Sequence, residues 1–168
     1  MNGCTDMRKC KLIGDIGNII HLRFLSLQGL EFTNTKLPSS LGNLRCLQTL
    51  NLRIEAIGRI HVPDVIWRME QLRHLYLPMK RDYKTKLRLD TLRNLLTLLN
   101  FNTKKCYLKY LSNMTKLREL EIRGPFKIED FNKEELDKNP PISSHLGYYQ
   151  FGRNDRCKIF DTSPLKLR

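Results

Sequence analysis

Leu12, Leu37 and Val62 are evenly spaced, at a period of about 25 residues, and each opens the same run of aliphatic positions. In the first block the run is Leu12, Ile16, Ile19, Leu22, Leu25 and Leu27. In the second it is Leu37, Leu41, Leu44, Leu47, Leu50 and Leu52, and in the third Val62, Ile66, Met69, Leu72, Leu75 and Leu77. Every one of these positions is Leu, Ile, Val or Met, and the register holds across the three blocks without a slip. A period of this length marks a solenoid, in which each unit is too small to bury its own apolar face and stacks on its neighbours.

The end of each block dictates the local structure. In L-x-x-L-x-L the last two aliphatic residues are two apart, so they share one face of a strand. Equivalent strands of successive coils can then pair in parallel, about 4.8 Å apart, and stack their leucines into one core. Leu37-Pro38 and Val62-Pro63 hold extended backbone ahead of the proline as the chain turns back. Leu41-Gly42-Asn43-Leu44 and its counterparts supply the aliphatic residues that close the far side.

Two further coils are less regular. Leu92, Leu95 and Leu98 restart the pattern slightly early, but Asn100 stands where an aliphatic residue is expected. Either the strand slips so that Leu99 and Phe101 point inward, or a bulge interrupts it. Met114, Leu117, Leu120 and Ile122 form the fifth unit, again a little short of the full period, with Leu111 and Asn113 matching Leu41 and Asn43. The expected fold is an α/β solenoid of about five coils, with a parallel sheet on its concave face and short helical or irregular turns on its convex face.

Outside the repeat the signal fades. Residues 1–11 read as a polar, basic segment, 12–125 as the solenoid, and 126–168 as a degenerate C-terminal repeat and tail. Asp130 to Lys138 is expected to form a short helix stopped by Asn139-Pro140-Pro141. His145 to Phe151 is expected as a sixth strand, with the rest as tail. Neither end shows a convincing cap, so a piece of a longer protein, or a truncated product, is expected.

At 168 residues the chain suits one domain, and its 30 Lys and Arg against 17 Asp and Glu give a net charge of +13. Such an excess usually reflects a solvated basic surface; it favours acidic partners in general without choosing one. No apolar stretch approaches membrane-spanning length. Met1-Asn2-Gly3-Cys4-Thr5-Asp6 lacks the basic start and apolar run of a secretory signal, so a cytoplasmic location is expected. The five cysteines are scattered with no C-x-x-C pair, and free thiols are expected.

The sequence offers no seat for chemistry. It has neither a G-x-x-x-x-G-K-[ST] phosphate loop nor G-x-G-x-x-G. His21, His61, His74 and His145 stand apart, with no H-E-x-x-H and no metal-ligand spacing. Glu119 and Glu121 share a strand face, which on a solvated concave sheet points to contact rather than acid/base work. No enzyme activity, cofactor or metal is expected. The outward strand positions differ from coil to coil: Phe24, Ser26 and Gln28, then Thr49, Asn51 and Arg53, then His74 and Tyr76, and finally Glu119, Glu121 and Arg123. Constant inward residues with variable outward ones make a recognition surface, and a protein is the expected partner. A nucleic-acid partner is not expected, because the interleaved aromatics or recognition helix it requires are missing.

Leu37-Pro38-x-x-Leu41-Gly42-Asn43-Leu44-x-x-Leu47-Gln48-Thr49-Leu50-x-Leu52 resembles the repeat of plant intracellular immune receptors of the nucleotide-binding leucine-rich-repeat type. Trp67 followed by Leu72-Arg73-His74-Leu75-Tyr76-Leu77-Pro78 is similar to the coiled-coil subclass of those receptors. The resemblance covers roughly residues 12–125. It implies a part in pathogen defence, with the repeat recognising pathogen-derived or guarded host proteins and restraining a nucleotide-binding domain that this chain does not contain. A standalone leucine-rich scaffold in other intracellular signalling is the alternative.

Overall fold

Five short parallel strands carry the repeat: β1 (Phe24–Ser26), β2 (Thr49–Asn51), β3 (His74–Tyr76), β4 (Thr97–Asn102) and β5 (Glu119–Arg123). They lie side by side in chain order in one sheet of a computed structural model that describes residues 15–30, 36–82, 84–123, 146–151 and 156–161. Register runs leucine to leucine, Leu25 opposite Leu50, Leu50 opposite Leu75, Leu75 opposite Leu98 and Leu98 opposite Leu120. A slip by one residue would turn every buried leucine outward, so burial itself holds the register. Each strand also starts the same way. The Arg23 carbonyl accepts the amides of Gln48 and Thr49, Gln48 those of Arg73 and His74, Arg73 those of Leu96 and Thr97, and Leu96 those of Arg118 and Glu119.

The convex side is built from 3₁₀ turns at Ile16–Asn18, Ser39–Asn43, Ile66–Arg68 and Leu108–Asn113. The sequence explains the choice of helix. Leu41, Leu44 and Leu47 are three apart, and the 3₁₀ turn followed by a further i to i+3 turn brings each of them to the core. The Leu44 amide donates to the Leu41 carbonyl and the Leu47 amide to the Leu44 carbonyl, each at 3.1 Å; Met69 and Leu72 repeat the arrangement at 2.9 and 3.0 Å. Gly17 and Gly42 sit where one turn touches the next. A Cβ on Gly42 would lie 2.8 Å from the Cβ of Val65, and one on Gly17 would lie 2.6 Å from the Cβ of Ser40. In the third coil the same position is Trp67, whose indole Nε1 donates to the Asp64 carbonyl at 3.1 Å.

The expected ladder is the core. Leu44, Leu47, Leu50, Leu52, Met69, Leu72, Leu75, Leu92, Leu95, Leu98, Met114 and Leu120 are all buried in it. The first coil is looser: Ile19 is 48% exposed, and Leu22 and Leu25, the latter within the edge strand β1, are half-buried.

At the irregular fourth coil the structure chooses the bulge. Leu98 pairs with Leu120 and Phe101 with Ile122, so Leu99 and Asn100 together occupy the span of one residue opposite. Asn100 adopts φ 61°, the left-handed region that asparagine tolerates better than most residues. Phe101 turns into the core as expected. Leu99 does not; it pairs with Tyr76 on the concave row and lies outside the core cluster.

The C-terminal side corrects two expectations. β6 (Leu146–Phe151) is a strand, but it is antiparallel and outermost, and it pairs with β7 (Arg156–Asp161) in the segment read as tail. β7 in turn pairs antiparallel with β5, from Glu119 opposite Phe160 to Arg123 opposite Arg156. The hydrogen-bonding edge of β5 is therefore covered, where an open edge was expected. The expected helix at Asp130 to Lys138 and the segment 1–11 lie outside the described residues. Among the described residues no helix is long and apolar enough to cross a membrane.

Candidate functional site

Parallel register brings the outward residues into rows across the sheet. Phe24, Thr49, His74, Thr97 and Glu119 form one row, and Ser26, Asn51, Tyr76 and Leu99 the next. Neighbours in a row come from successive coils, so each row crosses the concave face from coil to coil.

Polar contacts knit these rows together. Asn51 Nδ2 donates to Gln28 Oε1 at 2.9 Å, and Arg53 Nη2 donates to the same oxygen at 2.9 Å. Asn51 Oδ1 accepts both the Arg53 amide and Arg53 Nε, each at 3.2 Å. The Arg53 guanidinium lies 4.8 Å from the Tyr76 ring centroid, within cation–π range. Three coils thus share one network. A separate pair, His74 Nδ1 and Thr97 Oγ1 at 3.2 Å, links the third coil to the fourth. A second knot closes the other end. Arg123 pairs with Glu121 through Nη2 at 3.0 Å and Nε at 3.1 Å, and Arg123 Nε also donates to Asn100 Oδ1.

The expected contact residues divide by exposure. Phe24, at 63%, Ser26 and Gln28 are exposed, and Thr49, Arg53, His74, Tyr76, Glu119 and Arg123 are half-buried. Asn51 and Glu121 are buried, each 6% exposed, so they hold Gln28, Arg53 and Arg123 in place rather than standing open to a partner. Sequence reasoning missed the contribution of β4, namely Thr97, Leu99 and Asn100. The signal was present, since Thr97 follows His74 at the same offset at which Leu98 follows Leu75.

The convex side pairs aromatic rings with cations. Trp67 has the Arg88 guanidinium 4.4 Å and the Arg68 guanidinium 5.3 Å from its ring centroid. Arg88 is held by Asp64, which accepts Arg88 Nε at 3.1 Å and the Arg88 amide at 2.7 Å. Lys86 lies 4.5 Å from the Tyr107 ring centroid. His61 Nδ1 meets Asp82 Oδ2 at 2.8 Å, and among the described residues no cluster of three or more His, Cys, Asp or Glu could hold a metal.

Residues 1–140 match the leucine-rich repeat region family. The chain is 49% identical to "Probable disease resistance protein RF9" of Arabidopsis thaliana over 112 residues, which is 67% of this chain and 10% of that protein. It is 48% identical to "Disease resistance protein RPP8" of the same plant over 112 residues, 67% of this chain and 12% of the relative. With "Probable disease resistance protein RF45" it shares 46% identity over 164 residues, 93% of this chain and 15% of the relative. The chain therefore spans between 10% and 15% of the length of these relatives. Its stacked aliphatic ladder, its parallel concave sheet and a family match covering most of its length agree: the chain belongs to the leucine-rich-repeat family, in the branch found in plant disease resistance proteins.

Proposed function

We propose that this chain is a non-enzymatic protein-recognition module of plant defence, whose concave sheet engages a protein partner inside the cell. The partner is a pathogen-derived or guarded host protein, or the nucleotide-binding domain of a receptor of this class. The observation that carries this reading is the network of Gln28, Asn51, Arg53 and Tyr76, contributed by three successive coils. Side chains already fixed before binding lose little conformational entropy on binding, and Arg and Tyr are over-represented where interfaces draw most of their energy. Disease resistance is the role that the relatives' names carry, and an interior, reducing location suits the free thiols of Cys46 and Cys106.

The test is a binding titration between the chain and a nucleotide-binding domain of this receptor class, supplied separately, with candidate effector or guarded proteins run in parallel. Arg53→Glu and Tyr76→Ala should each weaken the complex about tenfold or more, the scale of a central contact. Lys86→Glu on the convex side should leave it unchanged. Equal losses on both faces, or a loss only from Lys86→Glu, would contradict the concave face as the binding surface.

A further inference from the structure

The segments that leave the carboxyl ends of β2, β3 and β4 and run to the convex turns form one flank of the solenoid. Isolated bridges stack them, Ile60 opposite Arg81 and Leu87 opposite Cys106. The Ile60 amide donates to the Lys80 carbonyl at 2.8 Å, and the Asp82 amide to the Ile60 carbonyl at 3.0 Å. One coil further on, the Leu87 amide donates to the Lys105 carbonyl at 3.0 Å. Underneath, Arg81 and Lys105 are buried, and each clasps the other's backbone. Arg81 Nη2 donates to the Lys105 carbonyl at 2.5 Å and to the Thr85 carbonyl at 3.3 Å, and Lys105 Nζ donates to the Arg81 carbonyl. The segment after β3 is thereby pinned to the next coil, with its other cations left facing water.

Arg59, Lys80, Lys84, Lys86, Arg88 and Lys104 are exposed along this flank. Of the acids in the same segments, Asp64 holds Arg88 and Asp82 meets His61, and Glu55 is the exposed one. The flank therefore presents a strong excess of positive charge. It presents apolar tips as well. Ile57 stands fully in water, Met79 is 58% exposed, and Tyr107 is 41% exposed with Lys86 Nζ 4.5 Å from its ring centroid. Exposed apolar residues scattered singly need no explanation, but these share one flank with a run of cations.

We propose that this flank rests on an anionic phospholipid surface, with its Lys and Arg heads among the lipid headgroups and Ile57 and Met79 dipping below them. Positive side chains near such a surface are attracted to it, and their aliphatic stems can lie along apolar matter while the charges stay at the headgroups. Tyr107 suits the boundary between the two, since its ring is apolar and its hydroxyl polar. A nucleic acid would complement the cations but not the aliphatic tips. An acidic protein would need a surface shaped to the tips, and a wholly exposed Ile57 projects outward rather than lining a groove. A lipid surface deforms around it. A solenoid lying on this flank keeps its concave sheet open, so the inference is independent of the protein-recognition reading.

The test is flotation of the full chain with vesicles of phosphatidylcholine, alone or containing about one quarter phosphatidylserine. Retention should require phosphatidylserine and should fall as salt rises. Lys80→Glu, Lys84→Glu and Lys104→Glu together should lower the partition coefficient about tenfold or more. The same change of charge on the opposite flank, through Arg45→Glu, Arg93→Glu and Lys116→Glu, should cost several-fold less, because those cations stand off the surface. All of these side chains are exposed, so the core is untouched. In Ile57→Trp, which keeps every charge, the added indole should shift its emission to the blue on the vesicles and be quenched by brominated acyl chains. Native Trp67, half-buried beside Arg88, supplies the background. No retention on phosphatidylserine vesicles, equal losses from the two flanks, or an indole at position 57 that stays unshifted on bound vesicles would each overturn the proposal. So would tighter retention by a DNA duplex or by polyglutamate at equal anionic charge, which would assign the flank to a nucleic acid or an acidic protein.

Discussion

Asn100 shows how one residue redirects a coil. Its backbone takes the left-handed conformation, and its Nδ2 donates to the Leu77 carbonyl at 2.7 Å, while the Leu77 amide donates to the Leu99 carbonyl at 3.0 Å. The side chain thereby replaces a ladder bond that the bulge removes. Asn100→Leu should destabilise the fold by about 2 kcal/mol, from left-handed strain and a buried carbonyl left unpaired. Asn100→Gly, which keeps the left-handed backbone without strain and loses only the two side-chain bonds, to the Leu77 carbonyl and from Arg123, should cost less; urea unfolding of the two variants checks the order. Gly42 is the opposite case, a residue chosen for what it lacks. Gly42→Ala should lower stability by about 1 to 3 kcal/mol, since its Cβ would press on Val65, and the shift in urea midpoint measures it. Of these two residues the sequence flagged Asn100 plainly, as a polar group at an aliphatic position. Gly42 was visible only as part of a repeated motif, because close approach between coils is a property of stacking and not of any one coil.

Strands β1 to β5 were legible because their signal is repeated, each aliphatic position being checked by its counterpart in other coils. β7 has no counterpart. Arg156-Cys157-Lys158-Ile159-Phe160-Asp161 alternates polar and apolar residues only briefly, and its pairing with β5 is a long-range antiparallel contact that no period announces. Removing residues 142–168 should bare the edge of β5 and promote self-association, visible as a concentration-dependent shift in sedimentation; an unchanged monomer would show that the β7 pairing does not guard that edge. The clasp between Arg81 and Lys105 was equally hidden, since two cations on successive coils read as surface until the coils are stacked. Burial, then Arg81, lowers the Lys105 ammonium from 10.5 to about 8. Below pH 8 the folded chain carries the penalty of that buried charge. Between pH 8 and 10.5 the unfolded chain binds more protons than the folded one, so the Lys105 contribution to stability rises with pH and is complete above 10.5. Wild type should therefore gain stability relative to Lys105→Met as pH rises across that window, measured by urea unfolding at each pH; parallel profiles would show that Lys105 titrates normally.

Across the five described coils, one face is aliphatic and constant and the other variable and mostly polar, and the parallel register is what separates them. The composition spoke only to the excess of positive charge. It did not foretell that some expected contact residues, Asn51 and Glu121, would be spent on holding others. Exposure of an outward side chain depends on its neighbours in the row, and those come from other coils. Everything rests on short strands spaced one coil apart, and amide hydrogen exchange reads that spacing directly. Slow exchange should fall in brief segments around 49–52, 74–77, 97–101 and 119–122, each separated from the next by rapidly exchanging turns. Unbroken protection throughout 37–47 or 62–72, the footprint of packed α-helices, would contradict the stacked solenoid and with it the concave recognition face.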